Sequence, residues 1–316
     1  MSSLTIRKQL PPRARPAARP AAVTRREAWI RRLPLLPALI YVIVVTQIPF
    51  LVTLYYSFQS WNLLQPGSRH FAGVANYATV FTDPTFRTAI VNTVELTGVS
   101  VVISMVLGVA LAMLLDRKFF GRGVVRTLLI TPFLVMPVAT ALLWKTTMLD
   151  PIYGLVNFIL SPFGVHHVAW VSQFPMGSII AVLVWEWTPF MMLIELSGLQ
   201  SQPRDLIEAA RVDGAGAWAI FRKLTFPHLR PYIELGILLG SIYVVNTFGE
   251  IYMITQGGPG TATTNLPYYL YEKAFQAYDI GTAAADGVVT VAGTLIVAMV
   301  ALRLISTVFR LEGGRA

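Results

Sequence analysis

The 316-residue chain contains no cysteine. It therefore has no disulfide framework and no thiolate metal site. Charge is scarce as well. Asp, Glu, Lys and Arg make up 13% of the residues, against about 25% in soluble domains. Histidine occurs four times, and the one adjacent pair, His166 and His167, is not at the spacing of two ligands on a helix face. No metal centre is expected. No Ser-His-Asp set emerges. The glycine-rich run Gly257-Gly258-Pro259-Gly260 continues as Thr-Ala-Thr-Thr, without the lysine of a phosphate-binding loop. No stretch is large and polar enough to be an independent soluble enzyme, so no catalytic residue is assigned.

What the chain has in quantity is apolar length. Hydrophobic residues make up 55% of it, and the mean hydropathy is +0.61. About 20 apolar residues cross a bilayer as a helix. Six segments qualify, at about 34–58, 90–115, 124–146, 176–198, 232–255 and 284–309. The expected class is an all-α membrane protein with six transmembrane helices.

The net charge of +9 is a topology signal and not a nucleic-acid signal. Of the 25 Lys and Arg residues, 21 lie in the tail to Leu33, in 116–126, in 199–230 and at the C-terminal end; the opposite loops hold Arg69, Arg87, Lys145 and Lys273. The positive-inside rule then puts both termini and the 199–230 loop in the cytoplasm. Residues 1–33, with their PPRARPAARPAA run, read as a disordered basic tail. The apolar run behind them is too long for the core of a cleaved signal peptide. Residues 34–310 are expected to form the six-span domain, and 311–316 a short cytoplasmic end.

Of the outer loops, 59–89 is aromatic and turn-rich, and 147–175 carries an amphipathic stretch suited to the bilayer interface. The loop 256–282 reads as a flexible turn, QGGPGTATT, then a short helix. Acidic residues inside spans are costly, about 2.5–3.5 kcal/mol at the centre on insertion scales, and normally face protein or water. Glu95, Glu234 and Asp286 fall near span ends and read as interfacial. Glu186 is mid-span, with Glu195 and Glu250 also in or near spans.

The stretch Glu208 to Pro227, EAARVDGAGAWAIFRKLTFP, reads as helix, turn, helix between two apolar segments. Its Glu-Ala-Ala start, Gly214 four residues after Ala210, and the Leu224-Thr225-Phe226-Pro227 tail resemble the EAA loop of permease subunits of bacterial ATP-binding-cassette (ABC) importers. Asn246 to Pro259 (NTFGEIYMITQGGP) is similar to the fifth core span of the maltose-type first permease. FAGVANYATVFTDPTF at 71–86 looks like that branch's first outer loop. Together the similarity covers about residues 30–310.

This resemblance implies a type I ABC importer permease fold in the prokaryotic plasma membrane. The implied partners are a second permease subunit, a dimeric ATPase that carries the ATP and Mg, and an extracytoplasmic sugar-binding protein; this chain binds no cofactor. It implies coupling to the ATPase through Glu208, Ala209, Ala210, Asp213, Gly214 and Ala215. It implies substrate binding by Leu183, Glu186, Trp187 and Phe190 on one helix and by Gly240, Tyr243, Val244 and Thr247 on another. Each set is spaced i, i+3, i+4, i+7, one side of a helix, a pattern that helix packing alone also produces. Leu183 and Val244 are apolar where the family is polar, and Glu186 and Trp187 replace small or apolar groups, so maltose itself is not implied. Neither set includes Lys or Arg, which favours a neutral sugar or sugar alcohol over a phosphorylated one. The competing reading is a proton-coupled secondary transporter using Glu186 or Glu250.

Overall fold

The structure, a computed structural model, describes residues 33–313. The tail expected over 1–33, except for Leu33, and residues 314–316 of the C-terminal end lie outside them. Two compact units are separable, Met1–Leu51 and Val52–Ala316. Helix α1, Leu36–Ser57, begins in the first and ends in the second.

Two antiparallel strands of two residues, β1 (Gln59–Ser60) and β2 (His70–Phe71), pair Gln59 with Phe71 and Ser60 with His70. This hairpin is a small departure from an all-α chain. Helix α2 (Ala75–Thr82) follows, then α3 (Pro84–Asp116). Next come α4 (Arg122–Leu134) and α5 (Pro137–Leu143), the latter running into a π-turn at Trp144–Met148. Short helices α6 (Leu155–Leu160) and α7 (Trp170–Gln173) lead to α8 (Pro175–Ser201). The central loop holds α9 (Arg204–Val212) and α10 (Ala217–Ile220). Then come α11 (Phe226–Val244), α12 (Gly249–Ile254), α13 (Leu266–Tyr271) and α14 (Ile280–Gly313).

Among the described residues, α1, α3 and α8 are each long and apolar enough to cross a membrane. Residues 122–134 and 137–148 pass the same test together but are bent by 101°. Proline explains the bend. Pro137 has no N–H to give, and the residue before a proline is driven out of the helical region; Val135 and Met136 are both extended. The apolar segment at 232–255 is likewise divided. α11 ends at Val244, and α12 restarts at Gly249 after Phe248 leaves helical geometry.

The core is built on α3 and α8, which pack along their length through small residues. A Cβ at Gly108 would come within 2.7 Å of the Met191 Cβ and 2.9 Å of the Met192 backbone N. α11 enters the same way. A Cβ at Gly236 would press on Met105 and one at Gly240 on Met191. This is the close approach that a small-xxx-small pair permits in a membrane helix. Leu96, Val101, Met105, Ile179, Val182 and Met192 fill the space between.

Asp83 organises the end at which α3 begins. It caps α3, accepting from the Thr85 N–H at 2.8 Å and the Tyr269 hydroxyl at 2.8 Å, and pairs with Lys273 at 3.0 Å. Burial opposes its ionisation, but the bonds from Tyr269, Lys273 and Thr85 outweigh burial and hold the carboxyl at about 2. A depressed carboxylate stabilises the fold fully above its ordinary value of about 3.9 and loses that contribution as pH falls towards the folded value. The stability gap between wild type and Asp83→Asn, read as thermal midpoint in detergent, should therefore narrow between about pH 4 and pH 2. A gap constant over that range would show that Asp83 acts by packing alone.

Two expectations are corrected here. The QGGPGTATT run is a tied loop and not a flexible turn. The side chains of Thr263, Thr264 and Asn265 are buried. Thr255 and Thr263 share a 2.7 Å hydroxyl bond, and the Asn92 amide donates to the Thr261 and Thr264 carbonyls at 2.9 Å each. Gly257, at φ +79°, is required twice, since its Cβ would also meet Thr264 Oγ1 at 2.6 Å. Composition suggested flexibility, but side chains distant in sequence satisfy the backbone. Asp286 is also not interfacial. It is fully buried on α14, with Oδ1 3.4 Å from the Thr290 hydroxyl. Glu95 is exposed, and Glu234 is half-buried and paired with Arg230 at 2.9 Å.

Candidate translocation path and coupling surface

Three residues of the two implied substrate sets come together as rings. Trp187 on α8 stacks on Tyr243 of α11, with centroids 5.4 Å apart and planes at 24°. Phe190, one turn further along α8, meets Trp187 edge-on at 5.7 Å and Tyr243 at 6.4 Å. Tyr243 is 57% exposed, while Trp187 and Phe190 are half-buried. A fourth ring, Phe133, was not singled out in the sequence. It stacks on Phe190 at 5.3 Å and 27° and meets Trp187 at 5.6 Å. Phe133 follows Pro132 at the end of α4, and only tertiary contact with α8 brings it here, so no local pattern marks it.

The other residues of the two sets lie elsewhere. Leu183 and Val244 are buried in the α3–α8 core. Gly240 is packed against Met191 and Val101. Thr247 is buried, and its carbonyl accepts from the Asn265 amide. Glu186 is also buried, its carboxyl near that of Glu250 in the first turn of α12, and its Oε2 has no hydrogen-bond partner among the described residues. Glu195, further along α8 and on its opposite side, is fully buried and has no hydrogen-bond partner among the described residues.

The second candidate surface is the loop between α8 and α11. α9 ends in a Schellman turn. Gly214 sits at φ +82°, its N–H bonds the Arg211 carbonyl at 3.1 Å, and the Ala215 N–H bonds the Ala210 carbonyl at 2.9 Å. Glycine relieves the left-handed strain, and nothing lies within 4 Å of a Cβ built there. Glu208, Ala209, Asp213 and Gly214 are exposed; Ala210 and Ala215 are partly so. Leu206, Val212 and Trp218 are also exposed, at 56%, 88% and 72%. The loop thus presents a face of apolar side chains and charges of both signs, Glu208 and Asp213 beside Arg204 and Arg211, that the described residues leave exposed.

The loop is held firmly where it meets the long helices. His228 Nε2 lies 3.1 Å from the Gly198 carbonyl and 3.0 Å from the Ser201 hydroxyl, which is itself 2.9 Å from the Tyr232 hydroxyl. A Cβ at Gly198 would meet the Tyr232 ring at 2.7 Å and Leu229 at 2.8 Å. The end of α8 and the start of α11 are clasped together, with the loop hanging from the clasp. Those two helices also carry the Trp187–Tyr243 stack.

Residues 104–311, which contain the loop and all four rings of the cluster, match the family profile of the binding-protein-dependent transport system inner membrane component. The chain belongs to that family. It is 36% identical over 259 residues to the trehalose/maltose transport system permease protein MalF of Thermococcus litoralis, covering 81% of this chain and 85% of that one. To the sulfoquinovosyl glycerol transport system permease protein SmoG of Agrobacterium fabrum it is 34% identical over 275 residues, covering 86% and 89%. Among solved structures, a bacterial ABC transporter involved in the import of the acidic polysaccharide alginate superposes with a TM-score of 0.75 at 24% identity, over 89% of this chain and 96% of that chain. That likeness is one of fold.

The chain is therefore a mostly helical, multi-pass inner-membrane permease subunit with the ABC importer permease fold. It is the non-catalytic component, and ATP is handled by a partner ATPase. Membership in this family displaces the secondary-transporter reading built on Glu186 or Glu250.

Proposed function

We propose that this permease carries a neutral sugar or sugar alcohol past the Phe133, Trp187, Phe190 and Tyr243 rings, driven through the 199–230 loop by a dimeric ATPase. The observation that supports this most is the ring cluster itself. Aromatic faces cover the C–H faces of a sugar, and the Tyr243 hydroxyl can bond its hydroxyls. Segments 176–198 and 232–255 contain no Lys or Arg to hold an anionic group. Two relatives are named for carbohydrate ligands, trehalose/maltose and sulfoquinovosyl glycerol.

In this reading the chain crosses the membrane six times with both termini cytoplasmic, and the 34–310 domain pairs with a second permease. An extracytoplasmic binding protein delivers the ligand to the outer loops. Leu183, Gly240 and Val244 place the two helices by packing, Glu186 lies near Glu250 of α12, and Thr247 ties the path to the outer loop. Glu208, Ala209, Ala210, Asp213, Gly214 and Ala215 form the seat for the ATPase. When ATP closes the ATPase dimer, the seat moves, the Gly198–His228 clasp transmits the motion, and α8 and α11 reposition the rings.

Uptake of radiolabelled trehalose, maltose and a sugar alcohol by proteoliposomes holding the whole importer tests the substrate class. Saturable uptake of one of them, unaffected by excess sugar phosphate, is expected. Uptake of a sugar phosphate in preference to all of them would refute the neutral assignment.

A further inference from the structure

Beyond the ring cluster, the outer segment carries a second set of rings with no assigned role. Phe248 directly follows Thr247 and stacks on Tyr252 at 5.5 Å and 25°. Phe248 meets Tyr271 at 5.3 Å, and Tyr271 stacks on Phe275 at 5.5 Å and 27°. Tyr252 and Tyr271 also meet edge-on at 5.3 Å. The series runs from half-buried Phe248 to Phe275, which is 64% exposed; Tyr252 is 37% exposed.

Three features make this more than an interfacial aromatic belt. First, Phe275 owes its position to a π-turn at Glu272–Gln276, closed by the Ala277 N–H on the Glu272 carbonyl at 2.8 Å. Such turns concentrate at functional sites. Second, the face has a polar rim. The Tyr252 and Tyr271 hydroxyls and the Gln276 amide lie close to one another. Lys273, the nearest cation in sequence, is turned away to Asp83. Third, the rings stand on a rigid base, because the 255–265 loop between them is tied by the Thr255–Thr263 and Asn92 bonds.

We infer that Phe248, Tyr252, Tyr271 and Phe275 form a second carbohydrate-contacting face, on which an arriving sugar stacks before it reaches Tyr243. The inference rests on the reading of this chain as a sugar permease. Two stacked ring pairs, with hydroxyls and an amide at their edges, offer what a sugar requires: apolar ring surface for its C–H groups and neutral polar groups for its hydroxyls. A lipid tail requires no such rim.

The test uses the complete importer in proteoliposomes with its binding protein and radiolabelled trehalose or maltose, whichever the wild type takes up. Phe275→Ala is the first variant, because its exposed ring contributes little to the fold. Uptake at saturating binding protein should fall roughly three- to tenfold, the scale of one lost aromatic contact. Phe275→Trp should retain it, and half-saturation by the binding protein should not change. Unchanged uptake by Phe275→Ala overturns the inference. So does full maximal uptake with weaker binding-protein saturation, which would make the face a protein-docking surface. Loss of the second permease on purification would make it a subunit seam and overturn it equally. A wild-type importer that takes up neither sugar would instead refute the sugar reading of the path.

Discussion

Glu208→Lys is expected to abolish both ATPase association and sugar uptake while the permease still reaches the membrane. Glu208 is exposed on α9 and makes no ion pair among the described residues, so the substitution removes nothing from this chain's own fold. Its whole effect falls on whatever covers that face. Reversing a charge at a buried protein–protein contact costs about 2–5 kcal/mol or more, a loss of at least tenfold in affinity. Gly214→Ala is the comparison. No atom obstructs the new Cβ, so its cost is the left-handed backbone alone, about 1–2 kcal/mol. Co-purification of ATPase with each variant, at matched membrane levels, separates them. ATPase retained by Glu208→Lys would show that the α9 face is not the seat.

Trp187→Ala is expected to reduce uptake more than any other single change in the ring cluster. Trp187, like Phe190, touches the three other rings, and it is the one that stacks on Tyr243, which Phe190 meets edge-on. Removing it leaves Tyr243 without its stacking partner and opens a void. Large aromatic truncations cost about 3–5 kcal/mol in a packed site. Because that could act through folding alone, Trp187→Phe is the informative partner. It restores a ring of smaller area, so it should recover assembly fully and uptake only in part. If Trp187→Ala assembles normally and transports at the wild-type rate, the rings are structural and the path lies elsewhere.

The sequence exposed those parts of the molecule that depend on local chemistry. The Glu208–Gly214 turn was readable because a Schellman cap requires a left-handed residue, and glycine fills that role. The long apolar helices α3 and α8 were readable from length and composition. The rest depended on contacts distant in sequence. Phe133 joins Trp187 only because α4 packs on α8, and no periodicity carries that information. Gly240 and Val244 share a helical face pattern with Tyr243, yet packing buries them and leaves Tyr243 open. The Gly257–Asn265 run has the composition of a flexible turn, and Asn92, from another helix, ties it down. Asp286 sits near the end of its apolar segment but is fully buried, next to Ala285, which packs with Val80, Phe86, Leu266 and Tyr269 from α2, α3 and α13.

The central claim is that motion of the 199–230 loop and occupancy of the path are one coupled event, joined by α8 and α11. ATP hydrolysis by the reconstituted importer, with its binding protein and a panel of unphosphorylated sugars and sugar alcohols, tests it most directly. Stimulation by one ligand in the wild type, lost in Trp187→Ala although the ATPase remains bound, is the predicted result. Equal stimulation in wild type and Trp187→Ala would contradict it, because the rings would then have no connection to the loop.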